Sequence, residues 1–210
     1  MHPNPAFHTA SAGDNLDFAR TRGFGLLSIN GDDGPMAAHV PFRLSADGSI
    51  AELHLMRSNP IARALAAGGP APALIAVSGP DGYISPDWYG DPAQVPTWNY
   101  VAVHLRGRLE LLPDADLPGV LARLTEVFED RLAPGKRPWT MDKVPDEALA
   151  RMQRMICALR LHIGHVDGTW KLSQNKPDHA RLNAAGQVAG GIGQELAALA
   201  QLMGGNAPQK

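Results

Sequence analysis

Several features are scarce in this 210-residue chain, and each scarcity argues against a class of protein. The single cysteine, Cys157, cannot form a disulfide within the chain, which fits a reducing compartment. No apolar run approaches the roughly 18 residues that a membrane helix needs. The amino terminus lacks the basic and then apolar pattern of a signal peptide. We therefore expect a cytoplasmic protein without a membrane segment.

Positive charge is also in short supply. The chain carries 19 Lys and Arg against 21 Asp and Glu, and its pI is about 6.4. A dedicated DNA-binding domain usually has a basic face and a high pI, so DNA is only weakly supported as a partner. Eight histidines are present, but none has a cysteine or carboxylate at zinc-ligand spacing, so no metal site is predicted. The apolar neighbours of Cys157 favour a buried, inert thiol over a nucleophile.

Hydrophobic periodicity predicts a mainly β protein with added helices (α+β). Strands are predicted over 24–30, 36–44, 50–56, 72–78, 98–112 and 156–166, with a turn at 79–82. Helices are predicted over 14–22, 60–67, 117–132, 146–155, 178–185 and 195–203. Because a parallel sheet would require regular strand–helix alternation, we expect a six-stranded antiparallel split barrel. It would occupy residues 1–183 with inserted helices at about 114–155, followed by a helical or partly disordered tail over 184–210.

A strand of small residues is the first candidate for ligand contact, and it comprises Met36, Ala37, Ala38, His39 and Val40. The following proline favours a sheet edge, because proline lacks the N–H that a ladder needs. A flat ligand lying along such an edge requires small side chains and free backbone groups. The alternative is an ordinary strand whose alanines simply pack, with a structural histidine.

A strand end that leads into a helix is the second candidate. Here Arg57, Ser58 and Asn59 precede the helix, and Arg63 lies one turn inside it. Free N–H groups and the helix dipole favour phosphate at such an end, and arginines add charge-assisted hydrogen bonds. The alternative is ordinary capping beside two solvated arginines.

Two further segments combine aromatic and polar side chains. Two of the four tryptophans and two of the three tyrosines fall between Trp88 and Tyr100, which indicates a pocket wall or an interface. On the following strand, alternation places Trp98 on one face and Asn99 on the other. Near the end of the chain, a cluster that is able to form hydrogen bonds predicts either a recognition loop or a solvated turn; it comprises Lys171, Ser173, Gln174 and Asn175.

Taken in order, these elements resemble the PaiB-type FMN-binding proteins, also called negative transcriptional regulators. The resemblance rests on Ala38-His39-Val40-Pro41, Asn59-Pro60, Gly82 to Tyr89, Val95 to His104 and Lys171-Leu172-Ser173-Gln174-Asn175. It implies a split β-barrel like that of pyridoxamine-phosphate-oxidase-type flavoproteins. It also implies a homodimer that holds FMN at the subunit interface.

The resemblance also implies roles for the candidate residues. Met36 to Val40 would lie along the isoalloxazine ring, while Arg57, Ser58, Asn59 and Arg63 would sit near the phosphate. Trp98-Asn99 and Lys171 to Asn175 would close the site, from the same or the partner subunit. The oxidase family places a cation where this chain has Met36 or Ala37, so the phosphate anchor would rest on Arg57 and Arg63.

The sequence therefore predicts an FMN-binding split-barrel protein that acts as a flavin-linked regulator or an FMN-dependent oxidoreductase. No residue is assigned a catalytic role. Two alternatives stay open. One is a DNA-binding transcriptional repressor in its own right, and the other is a barrel that binds haem or another planar ligand through His39, His104 or His162.

Overall fold

The computed structural model describes residues 1–132 and 134–205, which divide into two compact units. The central unit comprises Leu16–Val77 and His104–Val166. The terminal unit comprises Met1–Asn15, Ser78–Val103 and the described residues from Asp167 onward. Over 1–132 and 134–205, no helix is long and apolar enough to cross a membrane.

Within the described part of the chain, seven strands form a mainly antiparallel sheet: β1 (Phe24–Gly31), β2 (Gly34–Leu44), β3 (Ile50–Met56), β4 (Ala71–Ile84), β5 (Thr97–Leu111), β6 (Ile156–Lys171) and the short β7 (Gly193–Gln194). Their order is β1-β2-β3-β6-β5-β4-β7, and β1 also pairs with β4. The first six strands therefore make a ring, which confirms the predicted fold class.

Six α-helices of the described residues accompany the sheet: α1 (Ala12–Arg22), α2 (Pro60–Gly68), α3 (Leu117–Glu129), α4 (Asp146–Gln153), α5 (Asp178–Val188) and α6 (Leu196–Met203). All six predicted helices are present, with ends that shift by one to three residues. The helix α2 begins where predicted, because the Asn59 side chain accepts a hydrogen bond from the Ile61 N–H at 2.9 Å. It ends at Gly69, whose φ of 75° glycine adopts without strain.

Alternation along the strands builds the core of the central unit. On β2, Val40, Phe42 and Leu44 are buried, and their neighbours along the strand are more exposed. Glu52 of β3 is a buried carboxylate in this unit and pairs with arginines. A second cluster joins α3 to β6 through Val120, Leu124 and Ala158. The helix predicted over 117–132 therefore turns an apolar face toward this cluster.

The terminal unit has its own apolar cluster. Ala180, Ala184 and Val188 of α5 pack with Leu199 and Met203 of α6. Ile84 and Tyr89 complete this cluster, and Tyr89 is the last residue of a 3₁₀ turn at Pro86–Tyr89. The predicted tail boundary at residue 183 falls inside α5.

The predicted turn at 79–82 is wrong, because β4 runs unbroken from Ala71 to Ile84. Gly79, Pro80 and Gly82 are buried. Asp81 and Gly82 pair with β7, and a Cβ at Gly82 would lie 2.8 Å from the Leu199 side chain. Glycine is thus needed here for close packing rather than for a turn. The last predicted strand also runs further than expected, from Ile156 to Lys171.

Candidate functional site

The first half of β2 has one unpaired edge. His39 lies opposite Leu26 and Ala37 lies opposite Ser28 in the ladder with β1. Pairing with β3 begins only at Phe42. Over the described part of the chain, Met36 to Val40 therefore pair with a strand on one side alone, so the backbone groups of the other edge can meet a ligand or another chain.

Side chains along this edge are small or flat. Ala37 and His39 are exposed, Met36 and Ala38 are half-buried, and Val40 is buried. The His39 ring stacks on Phe24 with centroids 6.1 Å apart and planes 18° apart. Phe24 is 53% exposed, so the pair presents a flat surface on one face of the β1–β2 ladder.

The N-terminus of α2 lies on the same central unit, but its two arginines differ. The Arg57 guanidinium donates to Asp114 Oδ1 at 2.6 Å and to the Arg154 carbonyl oxygen at 3.1 Å. Arg63 and Ser58 are exposed, and the Arg63 guanidinium has no hydrogen-bond or ion-pair partner among the described residues. Arg63 is therefore the cation that is available to an anion at this helix end.

A pocket of about 250 Å³ lies entirely within the terminal unit. We call it the lysine pocket, and it is lined by His2, Asn4, Phe7, Tyr89, Val95, Thr97, Asn99, Lys171, Ser173, Asn175 and Lys176. Among the described residues, this lining has two cations and several neutral donors but no carboxylate. Such a lining favours an anionic ligand.

The floor of the lysine pocket is a buried hydrogen-bond chain. Asn99 Nδ2 donates to Ser173 Oγ at 2.8 Å, and the Tyr89 hydroxyl lies 3.0 Å from the same oxygen. Asn99 is fully buried, yet its Oδ1 has no partner within 1–132 and 134–205. A buried polar atom without a partner is costly, so a ligand group is the natural complement to this atom.

The two lysines of the pocket are held by neutral groups. Lys171 donates to Thr97 Oγ1 and lies 5.9 Å from the Phe7 ring centroid. Lys176 donates to Gln94 Oε1 and lies 5.4 Å from the Tyr89 ring centroid. Neither forms an ion pair with a carboxylate of the described chain. Burial lowers the pKa of Lys171, and the charge of Lys176 lowers it further.

The turn after β6 positions this pocket. Ser173 has a φ of 62°, which is uncommon for a residue other than glycine, and the Lys176 N–H donates to its carbonyl oxygen at 2.9 Å. The Gln174 side chain closes the turn, since it accepts from the Leu172 N–H at 2.8 Å and donates to the Ala6 carbonyl oxygen at 2.9 Å. Asn175 and Ser173 line the pocket, whereas Gln174 shapes it.

Trp98 points away from the lysine pocket, as strand alternation predicted. Asn99, Val101, Val103 and Leu105 are buried, while Trp98 is 45% exposed. Trp98 instead borders a shallow cleft of about 270 Å³ with Ser78, Asp81 and Tyr100. The adjacent residues Trp98 and Asn99 thus serve different surfaces.

Of the fifteen residues predicted from the sequence, Asn99, Lys171, Ser173 and Asn175 line one pocket. The β2 and α2 residues lie in the central unit. Seven lining residues were not predicted from the sequence: His2, Asn4, Phe7, Tyr89, Val95, Thr97 and Lys176. Four of these seven lie in or beside the two segments singled out in the sequence, which are the aromatic segment 88–100 and the polar cluster 171–175. The amino-terminal three carry no local signal, because contacts with distant residues, such as that of Phe7 with Lys171, bring them to the pocket.

Two further residues that the sequence singled out, His162 and Cys157, lie outside this pocket. His162 Nε2 lies 2.8 Å from Glu110 Oε1. Cys157 is buried, and burial raises the pKa of its thiol. The prediction of an inert thiol agrees with this environment.

Comparison with known proteins gives a family match. Residues 1–165 match the model of the family described as "Putative FMN-binding domain". Protease synthase and sporulation protein PAI 2 of Bacillus subtilis is 27% identical to this chain over 199 residues, which cover 94% of this chain and 93% of that protein.

Two solved structures share the fold. The FAD and haem binding protein from Mycobacterium smegmatis has a TM-score of 0.56 at 23% identity, over 88% of this chain and 80% of that one. Flavocytochrome Anf3 from Azotobacter vinelandii has a TM-score of 0.51 at 16% identity, over 74% of this chain and 65% of that one.

Proposed function

Because the chain belongs to this FMN-binding-domain family, as its motifs predicted, we propose that it binds FMN as a homodimer with the cofactor at the subunit interface. The family match over residues 1–165 is the observation that carries the flavin assignment. The unpaired edge of β2 and the surfaces around it support the assignment through their chemistry.

The chain's residues fit the three parts of FMN. A planar ring suits the unpaired β2 edge, where Ala37 and Ala38 leave room and backbone groups meet the polar rim of the ring. The terminal phosphate suits cations that lack a carboxylate partner within the described chain. Arg63 of the central unit meets that description, and so do Lys171 and Lys176 of the terminal unit, so the phosphate has one candidate position in each unit. The ribityl hydroxyls suit neutral side chains such as Ser58 and Asn175.

The proposed contacts form two sets. The central unit supplies Met36, Ala37, Ala38, His39, Val40, Arg57, Ser58, Asn59 and Arg63, and the terminal unit supplies Trp98, Asn99, Lys171, Ser173, Gln174 and Asn175. Within these sets, Arg57 and Gln174 act through the neighbours that they hold in place. The other members, apart from the buried Val40 and the helix-capping Asn59, are available to touch the ligand directly.

Bound flavin supplies one- and two-electron redox chemistry, and the protein supplies binding, orientation and electrostatics. The backbone edge of β2 would orient the ring, and the cations would hold the phosphate. We propose a flavin-linked role, as an oxidoreductase or a redox-sensing regulator. If the FMN-loaded protein oxidises added NADH or NADPH, the result would support the role of an oxidoreductase. If FMN stays bound but no NADH or NADPH is oxidised, the result would support the role of a redox-sensing regulator.

The dimer proposal is supported by surfaces that a lone chain leaves open. Over the described residues the first half of β2 has an unpaired edge, and Phe24, Met56 and Trp98 are exposed. Large exposed apolar side chains and unpaired strand edges are common where a second chain docks.

Quenching of FMN fluorescence tests flavin binding in protein purified without added cofactor. We expect saturable quenching below tens of micromolar FMN. Replacing Ala37 with phenylalanine should weaken FMN binding by about tenfold, because a ring on the unpaired edge would fill the space of the flavin. The control Ala122→Phe places the same ring on an exposed face of α3, outside the proposed contacts, and should leave binding unchanged.

Absence of quenching in the parent protein would contradict the proposal. An absorbance spectrum of the purified protein checks the haem alternative, because a Soret band would replace the yellow flavin bands.

A further inference from the structure

We propose that the lysine pocket is a binding site for the oxyanion of a small ligand, either a phosphate or a carboxylate. The inference rests on the proposed function in one respect, because several residues of this pocket are also proposed as flavin contacts. It goes further, because it states which chemical group of a ligand these residues bind.

The charge of the pocket supports this inference. Lys171 and Lys176 both face the lining, and within the described chain their ammonium groups donate to the neutral oxygens Thr97 Oγ1 and Gln94 Oε1. Two ammonium groups in one pocket repel each other unless an anion lies between them. Because no carboxylate of the described residues lines the pocket, residues 1–132 and 134–205 do not supply that anion.

An independent observation concerns Asn99. Its side chain is fully buried, its Nδ2 is engaged by Ser173 Oγ, and its Oδ1 has no partner among the described residues. A ligand that carries a hydroxyl next to its oxyanion, such as a phosphate that keeps one proton, would donate to this oxygen. The Tyr89 and Ser173 hydroxyls can then turn toward the oxyanion, since each can donate or accept.

Size restricts the ligand. A pocket of about 250 Å³ is below the range of roughly 300–1,000 Å³ that holds drug-sized ligands. The pocket therefore takes a small molecule or one end of a larger one. Two ligands could supply the anion with the same chemistry. One is FMN, through its terminal phosphate, and the other is a separate small acid that binds next to the flavin as a substrate.

Inorganic phosphate is the probe for the site itself. Phosphate titrated into flavin-free protein at constant ionic strength should raise the melting temperature in a saturable way and should give a binding isotherm by calorimetry. Lys171→Met and Lys176→Met should each weaken phosphate binding by about tenfold or more, since each removes a charge-assisted contact. Lys143→Met removes the same charge in the central unit and should have no effect.

Two results would contradict the proposed anion site. One is a melting temperature that rises with phosphate without saturating, and the other is equal phosphate binding by Lys176→Met and Lys143→Met. Lys176 is only partly buried, so its variant should keep the fold, and an unchanged far-UV circular dichroism spectrum verifies this. Asn99→Asp should also lose phosphate binding, because it places a negative charge beside the bound anion.

Competition then identifies the source of the anion. If FMN displaces phosphate and riboflavin does not, the pocket holds the FMN phosphate. If FMN and phosphate bind together, the pocket holds a separate acid. If phosphate binds as expected and FMN does not bind at all, the proposed function fails while the anion site stands.

Discussion

Glu52 shows how a single residue can join four elements of the central unit. Its carboxylate accepts two hydrogen bonds from Arg123, both at 2.8 Å, and lies 3.4 Å from Arg160 and 3.5 Å from Arg43. Glu52 is 5% exposed, so these contacts replace most of its water. The Arg123 hydrogen bonds hold the pKa of Glu52 below its ordinary value of 4.5, with burial opposing them.

Replacing Glu52 with glutamine should lower the free energy of unfolding by about 2 kcal/mol at pH 7, because it removes charge-assisted hydrogen bonds. A lowered pKa in the folded state means that this stability is present above pH 4.5 and is lost as the pH falls through the folded pKa. Urea unfolding at about pH 7 and about pH 3 measures both effects. The difference between parent and variant should shrink at the lower pH.

The matched control is Glu126→Gln, an exposed residue on the same helix as Arg123. It should change the free energy of unfolding by less than about 0.5 kcal/mol. An equal loss in both variants, or a difference that does not depend on pH, would contradict this account of Glu52.

For single residues, the sequence predicted the face of a strand on which a side chain lies, but it did not predict the long-range partners of that side chain. Alternation along β5 correctly placed Asn99 and Trp98 on opposite faces, because the side-chain period of two is a property of every strand. It could not show that Asn99 Oδ1 lacks a partner among the described residues, since that depends on which distant side chains arrive beside it. For the same reason, the ion pair between Arg57 and Asp114 had no sequence signal.

At the scale of elements, the contact between β5 and β6 is set by one glycine. A Cβ at Gly107 would lie 1.8 Å from the His162 carbonyl oxygen and 3.1 Å from Ile163 Cα. These are backbone atoms of the neighbouring strand, so they cannot move without shifting the ladder. A Cβ at Gly164, on β6, would instead meet no described atom within 4 Å.

Replacing Gly107 with alanine should therefore destabilise the protein by about 2 kcal/mol, as overpacking does. Gly164→Ala is the control and should be neutral or slightly stabilising, since alanine has less freedom to lose on folding. Thermal unfolding of the two variants measures the contrast. Equal melting temperatures for both would contradict the close approach of β5 and β6.

Elements that depend on local chemistry were predicted most accurately. The helix α2 begins and ends where the sequence indicated, because the Asn59 cap and Gly69 act on their immediate neighbours. The β4 strand shows the opposite case. Gly79 to Gly82 has a composition typical of a turn, but pairing with β7 and packing against α6 keep it extended.

At the scale of the whole molecule, Trp98 links the two parts of the proposed function. A tryptophan that is 45% exposed in a single chain is the kind of side chain that dominates interfaces. Trp98→Ala should weaken dimerisation by about 2 kcal/mol, roughly thirtyfold in the dissociation constant. It should also weaken FMN binding, because the cofactor is proposed to lie at the same interface.

Sedimentation velocity and FMN titration measure the two effects on one protein sample. Trp139→Ala is the control, since Trp139 is 37% exposed and lies in the central unit outside the proposed contacts. If Trp98→Ala changes neither property, Trp98 has no part in the interface or the cofactor site.

The sequence by itself determined the family, the mainly β fold class, the six helices and the division of β5 into two faces. These follow from short-range chemistry, namely side-chain period, caps and motif order, which each segment carries wherever it lies. Only the tertiary structure decided that Phe7 and Tyr89 enclose Lys171 and Lys176, that Asp114 engages Arg57, and that the turn-like residues of β4 stay extended. Those outcomes depend on long-range contacts, and such contacts are set by where distant parts of the chain meet when the core is packed.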